Sequence, residues 1–474
     1  MENHDVRLEE ITVQKFKNVQ YGKLSFIPNK KGISSEIIGL YGQNGSGKTA
    51  LVEALAILKS LLCGKKLNNK FADFIKVGEE NSVLTFIFKI AERDSNKLTR
   101  VEYSFCMGKI QDVQEDNYND IYIEEKPYDF RPIIRWEKIS FQTIIKGKVI
   151  KKMKPYIDTS DDSFPFKPNT KYNLLIGGNK SIHNELISIK RYVSLMSRSF
   201  AFSKEFLNIL RKNCSKSDFM DIYESLIYYG NFRLFIFDTD VNAMLKLNIL
   251  PISFNFKNGS SKANGNIGIP INGNGCIPVE TYNLAENLIE NMNVVLKEIV
   301  PNLTISIRKI GEELSRNNQI MYRVQLLSNK NGRPIPLCYE SEGIKKIFSI
   351  LQLLINVYNQ YSFTVAIDEL DSGIFEYLLG ELLSIISNKG KGQLIFTSHN
   401  LRPLETLDKS CIAFTTTNPE NRYIRPTYVK TTNNLRDYYY RDIVLGEQDE
   451  DVYDTTNNSE IAFSFREAGD FCGS

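Results

Sequence analysis

The chain has 474 residues, enough for one large domain carrying an insertion or for two to three smaller ones. Hydrophobic residues make up 42% and charged residues 24%, the balance of an ordinary globular protein, and a net charge of only +3 gives no compositional reason to expect a nucleic-acid binder. Seven cysteines lie scattered without a CxxC pair beside only three histidines, which excludes zinc ribbons, thioredoxin-like redox motifs and multi-histidine metal centres. The opening MENHDVRLEE is too polar for a signal peptide, and the strongest apolar run, 347–357, is broken by Ser349, Gln352 and Asn356. A cytoplasmic protein without a membrane span is expected.

Residues 36–41 (EIIGLY) read as a short buried strand. Gly42-Gln43-Asn44-Gly45-Ser46-Gly47-Lys48-Thr49 follows at once, an unbroken GxxxxGK[ST] pattern. Leu51, Leu55, Leu58 and Leu62 then recur at helical spacing, with Gly64 as the stop. Strand, glycine-rich loop and helix are the context of a phosphate cradle: glycines let backbone N–H groups turn inward, and the helix N-terminus adds positive potential. Gly42, Asn44, Gly45, Ser46 and Gly47 would line the cradle, Lys48 would reach the β and γ phosphates, and Thr49 would hold Mg²⁺.

Short alternating strands are expected over 83–88 and 101–105, and Lys146, Lys148, Lys151, Lys152 and Lys154 read as a solvated hairpin. Residues 191–244 look largely helical. Within them, Leu234-Phe235-Ile236-Phe237-Asp238-Thr239-Asp240 is a strand-like run ending in a DxD that reads as a turn or helix cap rather than a metal site. Asn- and Gly-rich residues 258–276 are expected as an exposed loop.

The β-branched apolar run 363–367 (FTVAI) reads as a buried parallel strand ending at Asp368-Glu369. A carboxylate there borders the phosphate crevice, so Asp368 suits the Mg²⁺ shell and Glu369 a general base acting on water. Leu370-Asp371-Ser372-Gly373 leads into a helix over 374–387. A second apolar strand, 393–397, ends at Ser398-His399-Asn400, where His399 suits a γ-phosphate sensor.

Cradle, acid pair, Asp371 turn and strand-end histidine, in this order, resemble the ABC-type ATPases, and among them the branch of SMC, Rad50 and OLD-family proteins. Tyr339-Glu340-Ser341-Glu342-Gly343-Ile344-Lys345-Lys346 matches that family's signature segment: Ser341 and Gly343 stand at the serine and second glycine, while Glu342 replaces the first glycine. The resemblance implies an ATPase using ATP and Mg²⁺, catalytic roles for Glu369, Lys48 and His399, and a head-to-tail homodimer or higher homo-oligomer in which Ser341 and Gly343 meet the partner's nucleotide. The fold expected is α/β, a P-loop NTPase with a mixed sheet split by a helical and β insertion. Its parts would be an N-terminal lobe (1–115), an insertion (116–300), a C-terminal lobe with signature, acid pair and histidine (301–430), and an extension (431–474).

The stretch between Thr49 and Ser341 is longer than a transporter ATPase needs and lacks the heptads of SMC or Rad50. That layout, with Ile11-Thr12-Val13-Gln14-Lys15-Phe16-Lys17-Asn18-Val19 and Asn434-Leu435-Arg436-Asp437-Tyr438-Tyr439-Tyr440-Arg441, resembles stand-alone ATPase subunits of bacterial anti-phage systems of PARIS or AbiL type. It implies control of a separate effector, a Toprim-like nuclease, in response to a phage trigger protein. Three alternatives stay open: an OLD-like nuclease, for which too little chain follows His399; a DNA repair ATPase, against which the low net charge argues; and an ATP-driven assembly switch with negligible turnover.

Overall fold

The computed structural model describes all residues except 1–3, 27–35, 93–96, 113–128, 178–179, 215–217, 259–260, 274, 316, 427–433, 446–449, 454–455 and 472–474. In chain order, β1 (His4–Phe16), β2 (Val19–Ser25) and β3 (Glu36–Tyr41) precede α1 (Lys48–Leu62). Then come β4 (Asn81–Glu92), β5 (Lys97–Gln111), β6 (Phe130–Ile145) and β7 (Lys148–Asp158). Four helices follow: α2 (Asn169–Ile176), α3 (Lys180–Leu195), α4 (Lys204–Asn213) and α5 (Asp218–Phe232). After β8 (Leu234–Phe237) and α6 (Thr239–Lys246) come β9 (Ile249–Asn258), β10 (Ser261–Pro270), β11 (Gly275–Pro278) and α7 (Val279–Ile299). The remainder comprises β12 (Leu303–Leu314), β13 (Ile320–Lys330), β14 (Arg333–Pro336), α8 (Glu342–Asn359), β15 (Thr364–Ile367), α9 (Glu376–Lys389), β16 (Gln393–Thr397), α10 (Arg402–Thr406), β17 (Ile412–Thr415), β18 (Tyr423–Ile424), α11 (Leu435–Leu445) and α12 (Asn458–Phe471).

The fold is α/β. Its centre is a six-stranded sheet ordered β18-β17-β3-β16-β15-β8, parallel except for the short edge strand β18. Strands β15, β16 and β17 are buried along their whole length, which is why the sequence shows continuous apolar runs instead of alternation. Ile38 and Leu40 of β3 face a core shared with α1, α5 and the antiparallel sheet β2-β1-β4-β5-β6-β7. Ile37 and Tyr41 point the other way, into a core shared with α7, α8, α9 and α11.

The two sheets are tied by hydrogen bonds that sequence distance conceals. The Gln393 side-chain amide exchanges bonds with the Leu8 backbone, accepting from its N–H at 2.9 Å and donating to its carbonyl at 2.7 Å. It does so beside the register shift between Leu8 and Glu10, where the ladder with β4 is interrupted. Buried Arg7 pairs with Glu36 at 3.2 Å and donates to the carbonyls of Tyr361 and Lys391.

Three expectations need correction. Much of the stretch 258–276, expected as a loop, is strand: β10 pairs antiparallel with β9 over residues 261–270 and buries Ile269, and β11 begins at Gly275. Ile267, Ile269 and Ile271 do alternate, but the Gly, Asn and Pro residues around them are depleted in strands and read as turn formers. Strand β8 lies inside the stretch expected as an insertion, yet it pairs in parallel with β15 and forms the edge of the central sheet. The expected limit at residue 115 also fails to bound a sheet, because β5 continues its ladder into β6 and β7. The lysine-rich segment does form a hairpin, turning at Lys146 and Gly147, both at positive φ, with Lys148, Lys151 and Lys152 exposed. Asp238 caps α6, its side chain accepting from the Val241 N–H at 3.1 Å. Of the acidic stretch Glu447-Gln448-Asp449-Glu450-Asp451, which reads as a solvated loop or a partner-binding edge, residues 447–449 lie outside the described residues; Glu450 accepts from the Asn418 amide at 2.9 Å. Among the described residues no helix is long and apolar enough to cross a membrane.

Candidate nucleotide site

Strands β3, β15 and β16 end side by side, and the loops leaving their carboxyl ends enclose a cleft of about 500 Å³. Its lining includes Asn44, Gly45, Gly47, Lys48, Thr49, Asp368, Glu369, Thr397 and His399. A parallel sheet places its ligand crevice at this end, because successive loops diverge there.

The glycine-rich loop needs its glycines for two different reasons. Gly42 sits at φ +150°, and a Cβ there would stand 2.0 Å from Thr415 Oγ1. Gly45, at φ +77°, faces nothing within 4 Å, so its backbone is open to a ligand. Gly47, at φ +95°, is the N-cap of α1 and supplies no side-chain cap, and no acidic residue occupies the first turn. The first N–H groups of α1 thus meet the cleft with their partial positive charge uncompensated by side chains. The loop is braced from outside by Asn18, which donates to the Gly45 carbonyl, and by Tyr423 Oη donating to Gly47 O at 2.9 Å, and from within by Ser46 Oγ donating to Gln43 O at 2.6 Å.

Lys48 is largely buried and folds back, its ammonium donating to the carbonyls of Gly42 and Gln43 at 2.8 Å each. Burial lowers its pKa, and the neighbouring Asp368, Asp371 and Glu369 oppose that shift. An anionic ligand in the cleft would compete with those carbonyls for the ammonium.

Asp368 is 1% exposed. Its Oδ1 accepts from Thr397 Oγ1 at 2.6 Å and from Thr49 Oγ1 at 3.4 Å, whereas its Oδ2 is buried without a hydrogen-bond partner. A buried carboxylate oxygen left unpaired is costly, on the order of 1–3 kcal/mol or more, and here it points to a missing cation. No cluster of three metal-ligating side chains exists among the described residues, so the donor set on offer is one hydroxyl and one carboxylate. That suits Mg²⁺, which keeps waters and phosphate oxygens in most of its shell.

Glu369 is exposed to the cleft and adopts φ +49°, a left-handed conformation rare outside glycine. Its N–H donates to Thr397 Oγ1 at 2.8 Å, so Thr397 fixes both acids, one through its carboxylate and one through its backbone. Asp371 Oδ2 accepts from the N–H groups of His399 and Asn400 at 3.0 and 2.9 Å, holding the end of β16 so that exposed His399 borders the cleft.

Ser341 and Gly343 are absent from the lining of this cleft. Ser341 caps α8, its Oγ accepting from the Ile344 N–H at 3.3 Å, and Glu342 pairs with Lys345 at 2.6 Å. Gly343 packs directly against Gly373, so the start of α8 rests on the turn that carries Asp371.

Thr397, Asn18, Tyr423 and Lys346 carried no sequence signal for this site. Lys346, on α8, is 3% exposed, and burial pushes its pKa down to about 8 against the opposing charges of Glu369, Asp368 and Asp371. The tail helix α11 seals the far side of β3, Tyr439 stacking on Phe414 at 5.1 Å and meeting Tyr41 edge-on.

No family model and no curated protein matches the chain. Among solved structures it is similar to the SMC head domain from Thermotoga maritima (13% identity, 89% of this chain, 99% of that one, TM-score 0.34). It is also similar to the Smc head domain with a coiled coil and joint from Pyrococcus yayanosii (9%, 92% and 100%, 0.39). A third is an SmcHead bound to the C-winged helix domain of ScpA (9%, 89% and 98%, 0.37). Likenesses this distant add no weight to the chemistry, which rests on the cleft itself.

Proposed function

We propose that this protein is an ABC-type ATPase that binds ATP with Mg²⁺ and hydrolyses it. The observation carrying the proposal is the buried Asp368 Oδ2 without a hydrogen-bond partner, on a residue that lines one cleft together with Gly45, Gly47, Lys48 and Thr49 of a phosphate-type loop. On this reading Gly42, Asn44, Gly45, Ser46 and Gly47 cradle the phosphates, and Lys48 stabilises charge developing on the transferred phosphoryl group. Thr49 and Asp368 would hold Mg²⁺, which neutralises phosphate charge when bound. Glu369, at the cleft surface, orients water and accepts its proton; His399 donates to the γ-phosphate.

The signature residues Ser341 and Gly343 lie away from this cleft, which supports a role toward the nucleotide of a second copy and a homodimer or larger homo-oligomer. The finer reading, a cytoplasmic sensor ATPase of an anti-phage system controlling a separate Toprim-like nuclease after meeting a phage trigger protein, is supported by the motif resemblance of residues 11–19 and 434–441.

The test is ATP turnover and mass in each nucleotide state. Glu369→Gln should retain ATP and shift to the mass of a dimer or larger, with turnover at least tenfold down; Lys48→Ala should lose ATP binding. Wild-type turnover in Glu369→Gln would remove the assigned base.

A further inference from the structure

Lys346 has no place in the chemistry just proposed, yet its burial is hard to account for otherwise. An ammonium removed from water is costly unless it is paired, and this one is held by the side chain of Asn242, whose Oδ1 accepts from Lys346 Nζ. The same ammonium lies 4.5 Å from the centroid of the Phe237 ring. Asn242 then donates from Nδ2 to the backbone carbonyl of Asp368 at 3.2 Å. That carbonyl belongs to the peptide joining Asp368 to Glu369, the link at which the chain enters its left-handed turn. Phe237 N-terminally flanks the cap of α6, and its carbonyl accepts from the Asp368 N–H at 2.8 Å. Helix α6, distant in sequence, thus links α8 to the peptide at the end of β15.

One turn earlier on α8, Gly343 touches the backbone of Gly373 with no room for a Cβ. The helix is consequently fastened to the acid-bearing segment at two points, before and after the residues 368–373. Rigid seating of this kind matters because catalytic geometry tolerates errors well below 1 Å.

We infer that Lys346, through Asn242, is a positioning residue that sets the Asp368–Glu369 peptide and makes α8 move as one body with the two acids. Because Ser341 caps α8, displacement of that serine by a ligand in a neighbouring copy is passed to the acids of its own cleft. The inference rests on the ATPase reading above. Lys346 is not among the residues lining the cleft; it acts on Glu369 through the backbone, within electrostatic reach of Glu369, Asp368 and Asp371.

The experiment compares ATP affinity and turnover in wild type, Lys346→Met, Lys346→Arg, Asn242→Ala and the Lys346→Met/Asn242→Ala double variant. Unfolding midpoints are followed alongside. Lys346→Met should reduce kcat about tenfold or more with ATP affinity changed less than threefold, because the loop and Lys48 are untouched. Asn242→Ala should do the same, and the double variant should be no worse than either single one, since both remove one link. Lys346→Arg should recover at least a third of wild-type kcat. A wild type that hydrolyses ATP beside a Lys346→Met of equal kcat refutes the positioning role alone, as would multiplicative losses in the double variant. A wild type that neither binds nor hydrolyses ATP refutes the reading of the cleft. If Lys346→Met fails to fold, Asn242→Ala decides by the same split between kcat and affinity.

Discussion

Gly343→Ala tests how tightly α8 is seated on the turn that carries Asp371. A Cβ at residue 343 would lie 2.1 Å from the Gly373 carbonyl oxygen and 3.1 Å from its carbon. Ordinary carbon–oxygen contact begins about 1 Å further out. The obstruction is backbone, at a glycine already at φ +76°, so no side chain can swing aside. Forcing that separation should cost about 1–3 kcal/mol, the usual penalty of overpacking. Against it stands the better helix propensity of alanine, at most about 1 kcal/mol in a helix interior and less in a first turn. The clash wins, and a net loss of about 1–2 kcal/mol is expected. Urea unfolding of the nucleotide-free protein reads it without any contribution from a ligand in a second copy. Gly311→Ala is the control, since a Cβ there meets nothing within 4 Å. Equal stability of the two variants would refute the close approach and with it one of the two fastenings of α8.

Two further predictions concern buried charge. Glu137, on β6, is 1% exposed and accepts from Tyr103 Oη at 2.6 Å, Ser199 Oγ, and the N–H groups of Phe200 and Ala201 at 2.7 and 3.0 Å. Glu137→Leu would strand four buried donors at about 1–3 kcal/mol each, so a loss of about 4 kcal/mol or more is expected in thermal unfolding; a loss under about 1 kcal/mol would show the pocket relaxing. Lys59, on α1 near the Phe235 ring, has its pKa lowered by burial to about 8 from 10.5. Between these values the unfolded chain binds the extra proton, so this lysine's contribution makes stability rise with pH from about 8 to 10.5. Lys59→Met should therefore be more stable than wild type at pH 7, on the order of 1–3 kcal/mol, with the difference closing by pH 10.5; a constant difference across that window would refute the assignment.

What the sequence disclosed follows from how local each interaction is. The cradle occupies eight consecutive residues, 42–49, because successive N–H groups of one loop must surround one phosphate, and a contiguous requirement leaves a contiguous pattern. Strands β15 and β16 were readable for a related reason: covered on both faces, they are mostly apolar, their buried polar residues Thr364, Gln393 and Thr397 sit at the strand ends, and each strand leads at its carboxyl end into polar residues at the crevice. Strand β8 was readable as a strand-like run, but at four residues, embedded among helices and followed by an Asp-Thr-Asp cap, it carried no sign that it joins the central sheet beside β15. The hairpin β9–β10 escaped because glycine and asparagine suit turns in isolation and become strand only when paired.

The supports of the site were illegible for a deeper reason. Thr397 holding Asp368 and Glu369, Asn18 holding Gly45, and Asn242 joining Lys346 to Asp368 are contacts between residues far apart in the chain. Their residue types are common, and no spacing rule links them. Lys346 illustrates the cost of reading a helix by period alone. It follows Lys345 in a segment where the charged positions look like a solvated face, yet both lysines are buried. Lys345 meets Glu342 one turn back on the same helix, an i,i+3 pair that the sequence permits a reader to guess. Lys346 instead meets an asparagine contributed by α6, a pairing that exists only once β8 has joined the central sheet and carried α6 to the end of β15. The strand whose place in the central sheet the sequence did not disclose is thus the strand that makes the lysine's partner available, and the positioning role proposed for Lys346 stands on that placement.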